Sequence, residues 1–168
     1  MKLIRNLAVA AMATLLSIGN INAAEIDSIH FLIPGGAGGG WDGTARGTGE
    51  ALTKSGIVGK ASYENMSGGG GGKAIGFLIE NANSNQNTLM VNSTPIVIRS
   101  LVGRFPYNFR DLTLIAGTIG DYAAFVVKKD SPFDSFKDLV KAFRSNPRQV
   151  AIGGGSVPGG MDHLVAGL

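Results

Sequence analysis

The stretch IPGGAGGGWDGTAR, residues 33–46, places six glycines in fourteen positions, directly after the apolar run IHFLI and directly before a helix-compatible segment. A turn this bare between a strand and a helix leaves main-chain N–H groups uncovered, tolerates positive φ and admits the close approach of a ligand. The arrangement recurs twice. SGGGGG (67–72) follows the strand-like ASYEN (61–65) and leads into GGKAIGFLIENA (71–82), while GGGSVPGG (153–160) follows the strand-like QVAIGG (149–154) and leads into a terminal helical segment. Open α/β sheets bind ligands outside the carboxyl ends of their strands, where helix starts present unpaired amides and a partial positive charge. Three such loops favour an anion.

The remaining segments continue the alternation. WDGTARGTGEALTKS (41–55) reads as a helix turning Ala45, Ala51 and Leu52 to the core. TLMVN (88–92) is strand-like, and TPIVIRSLVG (94–103) is a short helix with Thr94 as its cap and Pro95 in its first turn. Strand and helix in turn predict a largely parallel sheet covered on both faces. LTLIAGTIGDYAAFVVKKD (112–130) breaks the rule, since two β-prone runs follow each other without a helix, and this is where the chain would pass from one domain to the next. SPFDSFKDLVKAFRSN (131–146) then reads as a helix with Phe136, Leu139, Val140 and Phe143 on one face. The last helical segment runs to Leu168 with no closing strand, so the chain is expected to be the front portion of something longer.

The first residues, MKLIRNLAVAAMATLLSIGNINAA, have a basic tip, an apolar stretch from Leu7 to Ile18 and a small residue at Ala23, which predicts a signal peptide cleaved near Ala23. The apolar stretch falls short of the roughly 20 residues that span a bilayer. Export combined with a complete lack of cysteine fits a bacterial periplasm, and Asn65 and Asn92, although in N-x-S/T triplets, would then carry no glycan. Lys2 and Arg5 belong to this leader, which holds no acid, leaving 13 basic against 12 acidic residues in the body. A body so near neutrality argues against nucleic-acid binding, which needs a clustered basic face.

Other anion chemistries fit less well. Lys73 follows Gly72 as in a P-loop, but Ser67 stands where the first glycine belongs and Ala74 where a hydroxyl should meet magnesium. The dinucleotide fingerprint G-x-G-x-x-G is met by Gly38, Gly40 and Gly43, with Glu64 as the candidate ribose acceptor, which keeps a dinucleotide-dependent oxidoreductase as the alternative. Pro34, the extra glycines and Asp42 beside the expected pyrophosphate count against it. Asp42 has a structural role open to it as well, capping free amides of its helix and pairing with Arg46 one turn on. Trp41, the single tryptophan, either lines a pocket or covers the core, and His30 is expected on a polar strand face. With no cysteine and with His30 and His163 far apart, neither a thiol nucleophile nor a His-rich metal site can be assembled. The elbow G-x-S-x-G around Ser156 ends on Pro158 instead of glycine. No enzyme activity, cofactor or metal is expected.

Taken together, the leader, IHFLIPGGAGGGWDGTAR, YENMSGGGGGKA, NSTP, VVKKDSPFDSFKDLV and AIGGGSVPGGMDHL, in this order over residues 1–168, resemble the Bug-type extracytoplasmic solute receptors of tripartite tricarboxylate transporters. The resemblance implies a type II periplasmic-binding fold of two α/β domains with mostly parallel sheets, residues 24–122 forming the N-terminal part of the first and 123–168 the start of an incomplete second. It implies a small carboxylate as ligand, a di- or tricarboxylate or related organic acid, and a membrane partner with a large and a small integral subunit. Carried over by position, the ligand-facing residues are Gly38, Gly39, Gly40, Trp41 and Asp42 in the first loop, Ser67, Gly70 and Gly71 in the second, Ser93 and Thr94 after the third strand, and Ser156 and Gly159 in the third loop. These would act through amides, hydroxyls and water, and no arginine lies in a loop of this kind.

Overall fold

The computed structural model describes residues 24–103, 105–155 and 157–168, so the leader and Ser156 lie outside the described residues. Strand β1 (Ile26–Ile33) leads through the first glycine loop into α1 (Gly40–Lys54), and β2 (Val58–Asn65) leads through the second into α2 (Gly72–Glu80). A short β3 (Thr88–Met90) is followed by α3 (Thr94–Leu101), and α4 (Phe136–Ser145) and α5 (Met161–Gly167) complete the regular elements. Between β2 and α2 a single 3-10 turn, Gly69–Gly71, carries the glycine run.

The three strands form one parallel sheet in the order β2-β1-β3. Ile33 pairs with Asn65 and Leu32 with Met90, so the carboxyl ends of all three strands are nearly level. From β1 the chain steps outward to β2 and then back across β1 to β3. With right-handed crossovers these opposite steps put α1 on one face and α2 on the other, and the order reverses between β1 and β3. Both faces of β1 must therefore be apolar near its end, and Phe31, Leu32 and Ile33 are all buried. Each such side chain stabilises the fold by roughly 1.5–3 kcal/mol.

One core gathers Ile29, Phe31, Ile33, Ala45 and Val58, with Trp41, Leu52 and Tyr63 packed against it. Ala45 and Leu52 turn inward as predicted, but Ala51 is exposed. Gly49 explains the close seating of α1: a Cβ there would meet the Tyr63 hydroxyl and lie 2.9 Å from Phe31, whose ring stacks on Tyr63 at 5.5 Å. Helix α3 is capped one residue earlier than predicted, at Ser93 instead of Thr94, with Pro95 in the first turn.

Beyond α3 the expectation and the structure part. The β-prone runs of residues 112–128 and the segment 150–153 form no strand among the described residues. Leu114, Ile115, Ile119, Tyr122 and Val126 are largely exposed. A strand exists only through its ladder, and β propensity alone does not make one. The apolar face of α4 forms as predicted and Phe136 meets Phe125 at 5.1 Å, yet Phe136 and Phe143 stay exposed. No helix among the described residues is long and apolar enough to cross a membrane.

Candidate functional site

Because the strands end level, the first two glycine loops and the start of α3 share one rim of the sheet. Their contacts centre on Gly71: a Cβ there would lie 3.5 Å from Pro34 of the first loop and 3.9 Å from both the Trp41 ring and Asn92 Nδ2. Gly71 sits at φ 95°, in the left-handed region that glycine alone enters freely. Ser67 Oγ lies across from Gly36, 3.9 Å from a Cβ placed there. Trp41 packs its body on the core, and its Nε1–H donates to Ser93 Oγ at 2.9 Å. That bond ties the first loop to the start of α3 across the gap between β1 and β3, the switch point where open α/β sheets place their ligands. It also explains why Ser93, at the cap position, makes no side-chain bond to its own helix.

The third loop arrives by another route. The predicted strand before it does not form, so helix packing brings it in, α5 lying against α3. Val157 and Arg99 both reach Gly70, where a Cβ would be 3.4 Å from Val157 Cγ2 and 3.5 Å from Arg99 Nε.

Several predicted ligand-facing groups are already engaged. The Asp42 carboxylate is 5% exposed, and it accepts from the Gly38 amide (2.9 Å), Arg46 Nε (3.0 Å) and Asn65 Nδ2 (3.0 Å). These donors, Arg46 first, lower its pKa from 3.8 to about 2. The amide of Gly39 donates to the Gly36 carbonyl, that of Gly71 to Gly68, and that of Gly159 to His163 Nδ1. What stays open is narrower than the sequence suggested: the amides of Gly40, Trp41 and Gly70 donate to no acceptor among the described residues, and Thr94 is an exposed first-turn residue of α3. First-turn amides have no partner within their helix, which is why Gly40 and Trp41 remain free.

Two further donors were not singled out from sequence. Asn92 Nδ2 and Arg99 Nε are buried without a hydrogen-bond partner among the described residues. An unpaired buried donor costs roughly 1–3 kcal/mol, so each of the two is open to an acceptor, water or solute, from outside the protein. Arg99 escaped notice because it lies inside a helix rather than a loop, and only tertiary packing brings it to Gly70. The only sequence signal was a cation within an otherwise apolar helix.

The same geometry bears on the dinucleotide alternative. A dinucleotide-binding sheet places its third strand beside the second, whereas here β3 lies beside β1. The Gly38 amide faces Asp42, and Glu64 pairs with His30 at 3.4 Å. His30 also bonds Ser62, on the polar strand face expected for it. Among the described residues no group of three or more His, Cys, Asp or Glu side chains could hold a metal. Of two cavities of about 710 and 740 Å³, one lies between the outer face of α1 and Thr118–Ile119, and the other lies among residues 123–133, α4, α5 and residues 149–155, so that Gly153–Gly155 of the third loop line it.

The chain is similar to a UPF0065 protein. That relative, the UPF0065 protein in the tcbD-tcbE intergenic region of Pseudomonas sp. (strain P51), is 28% identical over 173 aligned positions, which take in 98% of this chain. The chain spans about half the length of that relative. No family model matches the chain, and no solved structure matches it.

Proposed function

We propose that this protein is a solute receptor of the Bug type, which captures a small di- or tricarboxylate or related organic acid and delivers it to a tripartite tricarboxylate-type transporter. The observation that carries the reading is the convergence, at the switch point of a parallel sheet, of open amides at Gly40, Trp41 and Gly70 with the unpaired donors of Asn92 and Arg99. Donors without acceptors, facing one rim, make a binding surface for an anion and contain no arrangement of nucleophile and base. The similarity to a UPF0065 protein points the same way, since UPF0065 is the grouping of the Bug-type receptors. Function by binding, without catalysis or cofactor, follows from this reading.

In the same proposal residues 24–122 belong to the first α/β domain and 123–168 open the second. The leader directs the protein to the periplasm, and the partners are the large and small integral membrane subunits of the transporter. Calorimetry of the mature protein against citrate, C4-dicarboxylates, acidic amino acids and aromatic acids tests the reading. We expect saturable binding of at least one acid with a change in Trp41 emission; silence across the panel sinks it.

A further inference from the structure

Main-chain amides attract negative charge but do not tell one acid from its neutral relative by more than that charge. Arg99 can do more. Its guanidinium presents N–H groups in a planar fork that matches the two oxygens of a carboxylate. The ion pairs found among the described residues involve Arg46, Lys54 and His30, none of them Arg99. Its Nε is nevertheless buried, beside Gly70, with Val157 of the third loop against the same spot. Asn92 Nδ2 stands next to Gly71, one residue along the same turn, and is equally unpaired. Its own Oδ1 accepts from the Ser93 amide at 2.8 Å, which fixes the amide group with its Nδ2 towards Gly71.

Two buried donors, one charged, therefore flank a single glycine turn from two different elements. We infer that Arg99, supported by Asn92, is the specificity-determining cation of the site and receives a carboxylate of the bound solute at the Gly70–Gly71 turn. The inference rests on the receptor reading and assigns the charge selection to a helix residue. Replacing Arg99 by methionine, of similar reach, keeps apolar packing beside Gly70 and removes the buried unpaired Nε–H, so the unliganded protein should lose no stability.

The test is calorimetry of the full chain with succinate, aspartate, benzoate and citrate, and with succinamate, asparagine and benzamide as partly or wholly neutralised counterparts, together with melting curves without ligand. In Arg99→Met, acid affinity should fall about 10- to 100-fold and the preference for acid over amide should collapse. Arg99→Lys should recover part of both, and unliganded Arg99→Met should melt at or above the wild-type temperature. Unchanged acid affinity in Arg99→Met overturns the role of Arg99 while the receptor reading stands. Lost affinity with a lowered melting temperature assigns Arg99 a structural role and likewise overturns the inference. Silence of the wild type towards all of the acids removes the receptor reading and this inference with it.

Discussion

Asp42 shows how a single residue of the first loop can decide what the loop offers. A carboxylate in the first turn of a helix can point at a ligand or back at its own chain, and here Gly38, Arg46 and Asn65 turn it inward. Its pKa, about 2 against an ordinary 3.8, is depressed in the folded state. The stabilisation it brings is therefore complete above about pH 4 and is lost as pH falls through about 2. Asp42→Asn should lower the melting temperature near pH 7, and the gap to wild type should narrow between pH 4 and pH 2, read by circular dichroism. A gap that is constant with pH would show that the carboxylate's charge is not what matters. Ser93 allows a second check at this scale. Ser93→Ala removes the acceptor of the Trp41 Nε1–H, and should shift Trp41 emission and cost about 0.5–1.5 kcal/mol of stability or ligand affinity.

At the scale of one element, α1 carries glycines that look alike in sequence and differ in space. A Cβ at Gly47 meets nothing within 4 Å, whereas one at Gly49 runs into Phe31 and the Tyr63 hydroxyl. Gly47→Ala should thus stabilise the protein by up to about 1 kcal/mol through helix propensity. Gly49→Ala should destabilise it by about 1–3 kcal/mol, because the stacked rings beneath cannot move without opening the core. Chemical denaturation of the two variants settles the comparison, and similar values for both would mean that α1 does not rest on β1 as described. The second glycine run behaves otherwise: Gly68 to Gly71 all have positive φ, so there the residue type is demanded by the backbone.

For the molecule as a whole, order is unevenly distributed. In the second half of β1 the backbone of His30–Leu32 is paired on both sides and Phe31, Leu32 and Ile33 are buried, while residues 112–128 have no ladder partner among the described residues. Hydrogen exchange should find the amides of 112–128 close to unprotected and those of β1 slowest, and strong protection of 112–128 would show a pairing this structure lacks. Much of the architecture was legible before any coordinates. The apolar run IHFLI, the helix starts read at Trp41 and at Thr94–Pro95, the inward Ala45 and the parallel alternation depend on near neighbours in the chain, and periodicity and turn chemistry record those directly. The β-prone runs of 112–130 and the strand predicted at 149–154 form no ladder among the described residues, because β-prone residues describe a tendency that only a partner strand can realise. Residue types alone established a strand, a bare turn and a helix, repeated, with amides available for an anion. Tertiary structure alone chose which amides stay open, turned Asp42 inward, joined Trp41 to Ser93 across 52 positions and carried Arg99 to Gly70, because each of these depends on atoms that meet only after the sheet has brought distant parts of the chain together.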